Sequence, residues 1–149
     1  MNWTLKKFDE LTLQELYAIL QLRNEVFIIE QTCIYADLDD KDREAWHLMC
    51  INNDKLIAYT RILPPGVSYA EPAIGRVVTA ATARRSGLGK QLMLRSIEAC
   101  EKLFGEISIS LGAQVYLKKF YESLGFSAVS DMYLEDGIEH IKMTRDASK

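Results

Sequence analysis

The sequence predicts one mixed α/β (α+β) domain in which helices cover a single central sheet. Stretches with the two-residue apolar period of strands alternate with stretches of helical period along the chain. Three consecutive predicted strands precede a glycine-rich turn, unlike the strictly alternating units of nucleotide-binding folds. The chain has 149 residues, of which 48% are hydrophobic and 26% charged, as expected for one soluble globular unit. We therefore expect residues 1–149 to form a single domain.

The first elements predicted are one strand and one amphipathic helix. Residues 3–8 alternate apolar and polar side chains, as a half-buried strand does. Thr12 and Glu15 have the spacing of a capping box, and we expect the helix that they begin to continue to about Ile28. Its predicted buried face comprises Leu13, Leu16, Tyr17 and Leu20.

A polar, acidic segment then separates this helix from three strands. We expect residues 30–44 to form a loop with at most one short helical turn. Residues 47–51 and 56–63 predict two strands, and the Asn-Asn-Asp sequence between them predicts a hairpin turn. Residues 73–80 predict the fourth strand of the chain, which leads directly into the glycine-rich turn.

The rest of the chain predicts two helices and three strands. Residues 87–104 have one apolar helical face. Residues 107–111 are short and apolar, as in a buried parallel strand, and residues 113–124 predict another helix. Residues 126–134 and 138–143 predict two last strands, joined by a tight turn. The predicted element order is β-α-β-β-β-α-β-α-β-β.

The most informative segment is the turn after the fourth strand, Arg84-Arg85-Ser86-Gly87-Leu88-Gly89-Lys90. The first turn of a helix has backbone N–H groups without partners, and the helix dipole places partial positive charge there. Glycines let a ligand approach those groups closely, and the basic side chains add full charges. The turn therefore predicts a polyphosphate ligand.

Two familiar nucleotide motifs do not fit this turn. A Walker loop needs glycine five positions before Gly89, where this chain has Arg84. The dinucleotide fingerprint needs a third glycine where this chain has Leu92. A different phosphate-bearing ligand is therefore expected.

Charge and composition narrow the class of protein further. A net charge of −3 and an isoelectric point near 5.4 argue against a general nucleic-acid binder. No apolar run reaches the length of about 18 residues that a membrane span needs, so we expect no membrane partner. Cys33, Cys50 and Cys100 have no metal-binding spacing. We expect reduced thiols in a cytoplasmic protein without a metal.

Two motifs resemble the signatures of the GNAT acetyltransferases. Arg84-x-x-Gly87-x-Gly89 resembles the family's acetyl-CoA motif, R/Q-x-x-G-x-G/A, and residues 113–126 resemble its second motif. The element order also matches over nearly the whole chain. More narrowly, the chain resembles the ElaA-like branch of small bacterial GNAT proteins, on the segments 22–27, 30–35, 61–66 and 135–141.

This resemblance implies an N-acetyltransferase that uses acetyl-CoA as co-substrate and no metal. The acetyl group would pass directly to a primary amine, on either a small molecule or a protein. The sheet would splay between its fourth and fifth strands. Members of the family commonly form homodimers, and no feature of this sequence decides the oligomeric state. The alternative is a non-catalytic acyl-CoA-binding sensor or interaction module.

The resemblance also implies the residues that would bind coenzyme A. Backbone N–H groups from Arg85 to Lys90 would hold the pyrophosphate, and strand residues before the turn would pair with the pantetheine arm. The family often has asparagine at the position of Gln114. The resemblance therefore does not specify which hydrogen bond Gln114 would make to the pantetheine arm. The implied site comprises Val77, Val78, Thr79, Arg84, Arg85, Ser86, Gly87, Leu88, Gly89, Lys90, Gln114 and Tyr121.

The implied catalytic groups are an acid, an oxyanion donor and a base. Tyr121 would protonate the departing thiolate, because a phenol stays protonated at neutral pH. The backbone N–H of Val78 would polarise the thioester carbonyl. The base is open, although the position of the acidic segment beside the acceptor favours that segment, and a base acting through water would need no single residue. Candidates are Glu30, Asp37, Asp39, His47 and His140.

The acidic segment 30–44 has two interpretations that the sequence does not separate. Its carboxylates could attract a cationic amine to the acceptor site. They could equally form a solvated acidic loop. A calcium loop is excluded, because no glycine occupies its sixth position and Leu48 stands where the closing glutamate is needed.

Overall fold

The computed structural model describes residues 1–147, and these form a mixed eight-stranded sheet flanked by helices. The strands are β1 (Asn2–Lys7), β2 (Trp46–Asn52), β3 (Lys55–Leu63), β4 (Ala73–Thr79), β5 (Ile109–Gln114), β6 (Phe126–Ala128), β7 (Tyr133–Glu135) and β8 (Ile138–Arg145). The α-helices are α1 (Leu13–Arg23), α2 (Leu88–Phe104) and α3 (Lys118–Glu122). Short 3-10 turns span Phe8–Glu10, Lys41–Glu44, Ala81–Ala83 and Val115–Leu117, and a π-helical stretch, Asn24–Glu30, extends α1.

The strands follow the order β1-β2-β3-β4-β5-β8-β6, and β7 also pairs with β8. All neighbouring pairs are antiparallel except β4 and β5, which are parallel. Helix α2 covers one face of the sheet, where Leu92, Met93 and Ile97 pack into the main core. Helix α1 covers the other face. This arrangement confirms the predicted fold class.

The buried face of α1 differs from the prediction. Leu13 and Tyr17 are 85% and 70% exposed, whereas Ile19, Leu22 and Arg23 are buried. Ile19 and Leu22 pack against apolar side chains of β2, β3 and β4. The prediction was wrong because the apolar pattern of this helix has no dominant face, and its burial is set by the sheet below and by the ion pairs of Arg23.

The sheet separates between β4 and β5, as the resemblance implied. These two strands share a single residue pair, Ala73 with Ser110, at one end. From Ile74 onward β4 has no sheet partner on its β5 side. An edge of unpaired backbone groups can accept an added strand. The separation therefore leaves a cleft whose wall is a strand edge without a neighbouring strand.

Strand β4 also carries a bulge beside this cleft. Tyr59 pairs with Val78 and Arg61 with Gly75, so two residues of β4 lie opposite Thr60 alone. These two residues are Arg76 and Val77, and Arg76 has a left-handed φ of +50°. A bulge bends the strand and changes the direction of the following groups, a device that often occurs next to active sites.

The C-terminal part differs from the prediction in two places. The stretch predicted as one strand, 126–134, is two short strands because it is interrupted at Ser130, whose hydroxyl accepts the Lys142 N–H in place of a backbone carbonyl. Ala113 and Gln114 were predicted in a helix but continue β5, where they pair with Ile141 and His140. Within residues 1–147, no helix is both long and apolar enough to span a bilayer.

Candidate active site

A cleft of about 480 Å³ lies where β4 and β5 separate. Its donor wall is formed by β4, the end of β5 and the helical segment that follows. Its other wall is formed by the acceptor loop, which we define as residues 31–41, and by the β7–β8 turn. Side chains along it include Gln31, Cys33, Tyr35, Asp39, Lys41, Arg61, Arg76, Val77, Gln114, Leu117, Tyr121, Glu135, Asp136 and His140.

The backbone of β4 corrects one predicted role. The Ala80 N–H donates to Ile57 on β3. Because N–H directions alternate along a strand, the Val78 N–H also points toward β3, and those of Val77 and Thr79 point toward the open edge. The Val78 side chain is buried on the α1 face, while Val77 lines the cleft. The Val78 N–H therefore points away from the cleft, and its neighbour Val77 is the residue that lines the cleft.

The basic turn has the backbone shape of an anion-binding loop. Arg85 and Gly87 have left-handed φ angles of +67° and +78°, and α2 begins directly afterwards at Leu88. Successive N–H groups in such a sequence of conformations point into one concavity. Gly89 lies within α2, where a Cβ would meet no atom within 4 Å. Protein packing therefore gives no reason for glycine there, whereas a ligand against the helix N-terminus would.

Two predicted residues, Arg84 and Glu30, are bonded to each other. The Arg84 guanidinium donates to both carboxylate oxygens of Glu30, at 2.6 and 3.0 Å, and to the Thr79 carbonyl at 3.4 Å. The hydrogen bonds from Arg84 hold the pKa of Glu30 below its ordinary value. Glu30 is outside the cleft lining, so it is a weak base in the wrong place for proton removal from an acceptor.

Tyr121 lies in the cleft, on α3. Its side chain is 5% exposed and contacts the rings of Phe120 and Phe126 edge-on. Burial raises the pKa of Tyr121 to about 12, and no hydrogen bond from a described residue contributes to this rise. The phenol therefore keeps its proton at neutral pH, and no residue among 1–147 accepts a hydrogen bond from it.

His47 does not reach the cleft. It is 1% exposed on β2, with Nδ1 2.6 Å from the Tyr59 hydroxyl and Nε2 3.0 Å from the Asp42 carbonyl. Burial lowers its pKa. Both ring nitrogens of His47 are hydrogen-bonded inside the protein, so it is a core residue. The prediction that it could act as the base does not agree with this position, because the ring does not reach the cleft.

Three of the carboxylates in the acidic segment are bonded to buried arginines, which the sequence did not reveal. Arg23, which is fully buried, contacts Asp37 at 2.8 Å and Asp42 at 2.7 Å. Arg61 contacts Asp39 at 2.7 Å and Asp42 at 3.2 Å. The sixth member of this arginine–aspartate cluster is Arg76, which contacts Asp37 and Asp39.

The cluster removes Asp37 and Asp39 from the list of bases. Burial alone would raise the pKa of Asp39, but the hydrogen bonds and charge of Arg61 outweigh it and lower the pKa to about 2. A carboxylate of that strength holds a proton poorly at neutral pH. The three arginines balance the three aspartates in charge, so these carboxylates do not form a free acidic surface for a cationic amine.

His140 is the remaining candidate, and it lies in the cleft on β8. Its backbone pairs with Gln114, the last residue of β5, and its ring stacks on Tyr133 at 5.9 Å. Nδ1 lies 2.8 Å from the Ile138 carbonyl, and Nε2 lies 3.5 Å from a carboxylate oxygen of Glu135. From the sequence His140 was one of several candidate bases, and its position beside Glu135 follows from the pairing of β7 with β8.

The site has the elements of an acyl-CoA enzyme: an anion-binding turn, an open strand edge, and a cleft with a buried phenol. A family model described as the acetyltransferase (GNAT) domain matches residues 9–147. The chain belongs to the GNAT acetyltransferase family. The enzyme class predicted from the sequence, an N-acetyltransferase, is thereby confirmed, and acetyl-CoA is the co-substrate that this family uses.

Relatives of known structure agree with membership of the GNAT family. ElaA of Escherichia coli is 40% identical over 148 residues, which cover 98% of this chain and 97% of ElaA. The crystal structure of ElaA matches with a TM-score of 0.91. An acyl-CoA N-acyltransferase from Pseudomonas aeruginosa is 46% identical, with a TM-score of 0.92 over 97% of this chain and 99% of that chain. The predicted ElaA-like branch is therefore confirmed.

A more distant solved structure shows similarity of fold alone. An aminoglycoside 6′-N-acetyltransferase complexed with coenzyme A is 16% identical and has a TM-score of 0.71, over 96% of each chain. Within residues 1–147 of the present GNAT chain, no group of three or more His, Cys, Asp or Glu side chains is arranged to hold a metal ion.

Proposed function

We propose that residues 1–149 act as one domain that transfers an acetyl group directly from acetyl-CoA to a primary amine. The observation that supports this most is one continuous path. It begins at the N-terminus of α2, follows the unpaired edge of β4 and ends in the cleft that Tyr121 lines. A coenzyme A molecule has its phosphates, amide-bearing arm and thioester in that same order.

The donor half of the reaction follows from this path. Backbone N–H groups from Arg85 to Lys90 hold the pyrophosphate, with charge from the basic side chains. The edge groups of Val77 and Thr79 pair with the pantetheine amides as an added strand would. The Val77 N–H donates to the thioester oxygen, and such a donor contributes roughly 3 kcal/mol when negative charge develops there. Tyr121 then protonates the leaving sulfur.

The acceptor is an amine on a small molecule or on a protein. It enters between the acceptor loop and the β7–β8 turn, opposite the donor wall. Attack on the thioester needs no covalent enzyme intermediate. Among residues 1–147, Cys50 and Cys100 are buried outside the cleft, and Cys33, which lines it, donates to the Asp136 carbonyl.

The test is an assay of free coenzyme A thiol with acetyl-CoA and a panel of amines: alkylamines, polyamines, amino-acid derivatives and lysine peptides. We expect amine-dependent thiol release and a product heavier by one acetyl group. Initial rates should give intersecting lines in a double-reciprocal plot, and parallel lines would contradict direct transfer. Tight acetyl-CoA binding without thiol release for any amine would instead support the non-catalytic alternative.

A further inference from the structure

The β7–β8 turn places two proton-accepting groups face to face in the cleft. The Ile138 carbonyl can only accept a hydrogen bond, so His140 Nδ1, 2.8 Å away, carries a proton. In the neutral ring, Nε2 is therefore a bare acceptor. It faces a Glu135 carboxylate oxygen at 3.5 Å, which is also an acceptor.

Two facing acceptors at this distance need a donor or a positive charge between them or on the ring. A protonated amine supplies both, because an ammonium carries three N–H donors and a full charge. His140 is 9% exposed, whereas the Glu135 side chain is 60% exposed. The carboxylate is therefore able to move aside and admit a ligand without disturbing the ring.

The ring itself is held firmly. Tyr133 stacks on it with an interplanar angle of 24°, and the β5–β8 pairing fixes its backbone beside Gln114. Tyr121 lines the same cleft from α3. The cleft thus has a protonated phenol on its donor wall. On the opposite side, beside the β7–β8 turn, it has an imidazole nitrogen that can accept a proton.

We propose that His140 is the general base of the acetyl transfer and that Glu135 is the residue that draws the cationic amine to it. This inference rests on the proposed function, and it adds the acceptor half: an amine that arrives protonated. Of the other candidates, Glu30 is hydrogen-bonded to Arg84 outside the cleft, and His47, Asp37 and Asp39 are hydrogen-bonded to other protein groups.

The proton and electron balance of the step is simple. The acceptor ammonium gives one proton to His140 Nε2, and the imidazolium is stabilised by the Glu135 carboxylate. The amine lone pair forms the C–N bond, and the C–S bond then breaks with its electron pair leaving on sulfur. Tyr121 gives its proton to that sulfur and regains one from the acylated nitrogen. The proton on His140 leaves to solvent.

The first experiment compares H140Q with wild type on two amines. Ethylamine is charged at neutral pH and must lose a proton, whereas hydroxylamine is already neutral. We expect the rate of H140Q with ethylamine to fall about 100-fold, the size typical of a lost general base, and the rate with hydroxylamine to change far less. Acetyl-CoA affinity, measured by calorimetry, should be unchanged. Equal losses for both amines, or no loss, would overturn the role of His140.

The second experiment does not depend on activity. The chain has two histidines, so nitrogen-15 NMR resolves both rings, and His47 serves as the internal reference. We expect neutral His140 to carry its proton on Nδ1, and added ethylammonium to shift the Nε2 resonance more in the wild type than in E135Q, since the Glu135 carboxylate attracts the cation. The exposed Glu139 on the same strand gives the control, E139Q.

Other groups near the ring must be followed in the same titration. Tyr133 on β7, Asp136 in the turn, Cys33 on the acceptor loop and Tyr121 on α3 all contact the ring or line its cleft. A proton found on Nε2 of the neutral ring, or an equal response to ethylammonium in the wild type and in E135Q, would overturn the proposal. Absence of thiol release by wild type with every amine would instead refute the proposed function, and the NMR result would still decide on His140.

Discussion

At the scale of single residues, the acid of the proposed reaction is the Tyr121 phenol. Within residues 1–147, no hydrogen bond contributes to its raised pKa. Burial, followed by the nearby Tyr116, raises the pKa of Tyr121 to about 12, so the phenol is protonated at neutral pH. We expect Y121F to lower kcat about 100-fold while the acetyl-CoA dissociation constant stays constant, because only the proton is lost. Tyr17, 70% exposed on α1, provides the control Y17F. Stopped-flow thiol release measures both, and a wild-type kcat in Y121F would exclude the acid role.

The Arg84–Glu30 pair gives a second residue-scale prediction. A carboxylate and a phosphate compete for the same guanidinium, so E30Q should free Arg84 for the ligand. We expect E30Q to tighten acetyl-CoA binding about twofold to threefold, the scale of an exposed ion pair, with kcat unchanged. Isothermal calorimetry checks the affinity, and E25Q on the same π-helical stretch is the control. A large loss of kcat in E30Q would make Glu30 the base after all.

At the scale of elements, Gly89 is a position where helix stability and ligand binding favour different residues. Glycine inside a helix costs about 1 kcal/mol relative to alanine, and a Cβ there meets nothing. We expect G89A to raise the unfolding free energy of the free protein by up to about 1 kcal/mol. The same change should weaken acetyl-CoA binding more than tenfold, because the methyl group occupies ligand space.

Denaturant unfolding and calorimetry measure the two effects of G89A together. Gly87 is a less direct probe, since its φ of +78° strains any other residue. The exposed helix position Glu98 supplies the control E98A. Unchanged acetyl-CoA affinity in G89A would place the phosphates elsewhere.

The elements also show how far sequence reasoning reaches. The turn after β4 and the helix α2 were predictable, because glycine spacing and a single apolar face are local signals. The buried face of α1 was not, since it depends on which strands lie beneath it. Nor was the direction of the Val78 N–H, because it depends on which strand pairs with β4 and on a bulge that no local pattern announces.

At the scale of the whole molecule, the arginine–aspartate cluster ties the acceptor loop to the sheet. Removing one member leaves buried charge without its partner, which is strongly destabilising. We expect D42N to lower the unfolding free energy by about 3 kcal/mol, because Arg23 and Arg61 both lose a carboxylate. Chemical denaturation measures this. D40N is the control, since Asp40 is 89% exposed and bonds only the exposed Arg43.

The cluster also predicts how stability depends on pH. The folded-state pKa values of Asp39 and Asp42 lie below the ordinary value of about 4. Their contribution is therefore complete above that pH, and it is lost as the pH falls toward about 2, the pKa of Asp39. Thermal melts between these values should show a steep loss of Tm, which D42N should reduce. An equal slope in both proteins would contradict this assignment.

The single pair that joins β4 to β5 has a consequence for turnover. On the proposed binding mode, the groups that complete the sheet belong to the pantetheine arm and the phosphates, which acetyl-CoA and free coenzyme A have in common. Free coenzyme A is then expected to bind between β4 and β5 nearly as tightly as acetyl-CoA. The product and the co-substrate compete for one binding position. The rate of this enzyme is therefore expected to follow the ratio of acetyl-CoA to free coenzyme A rather than the concentration of either.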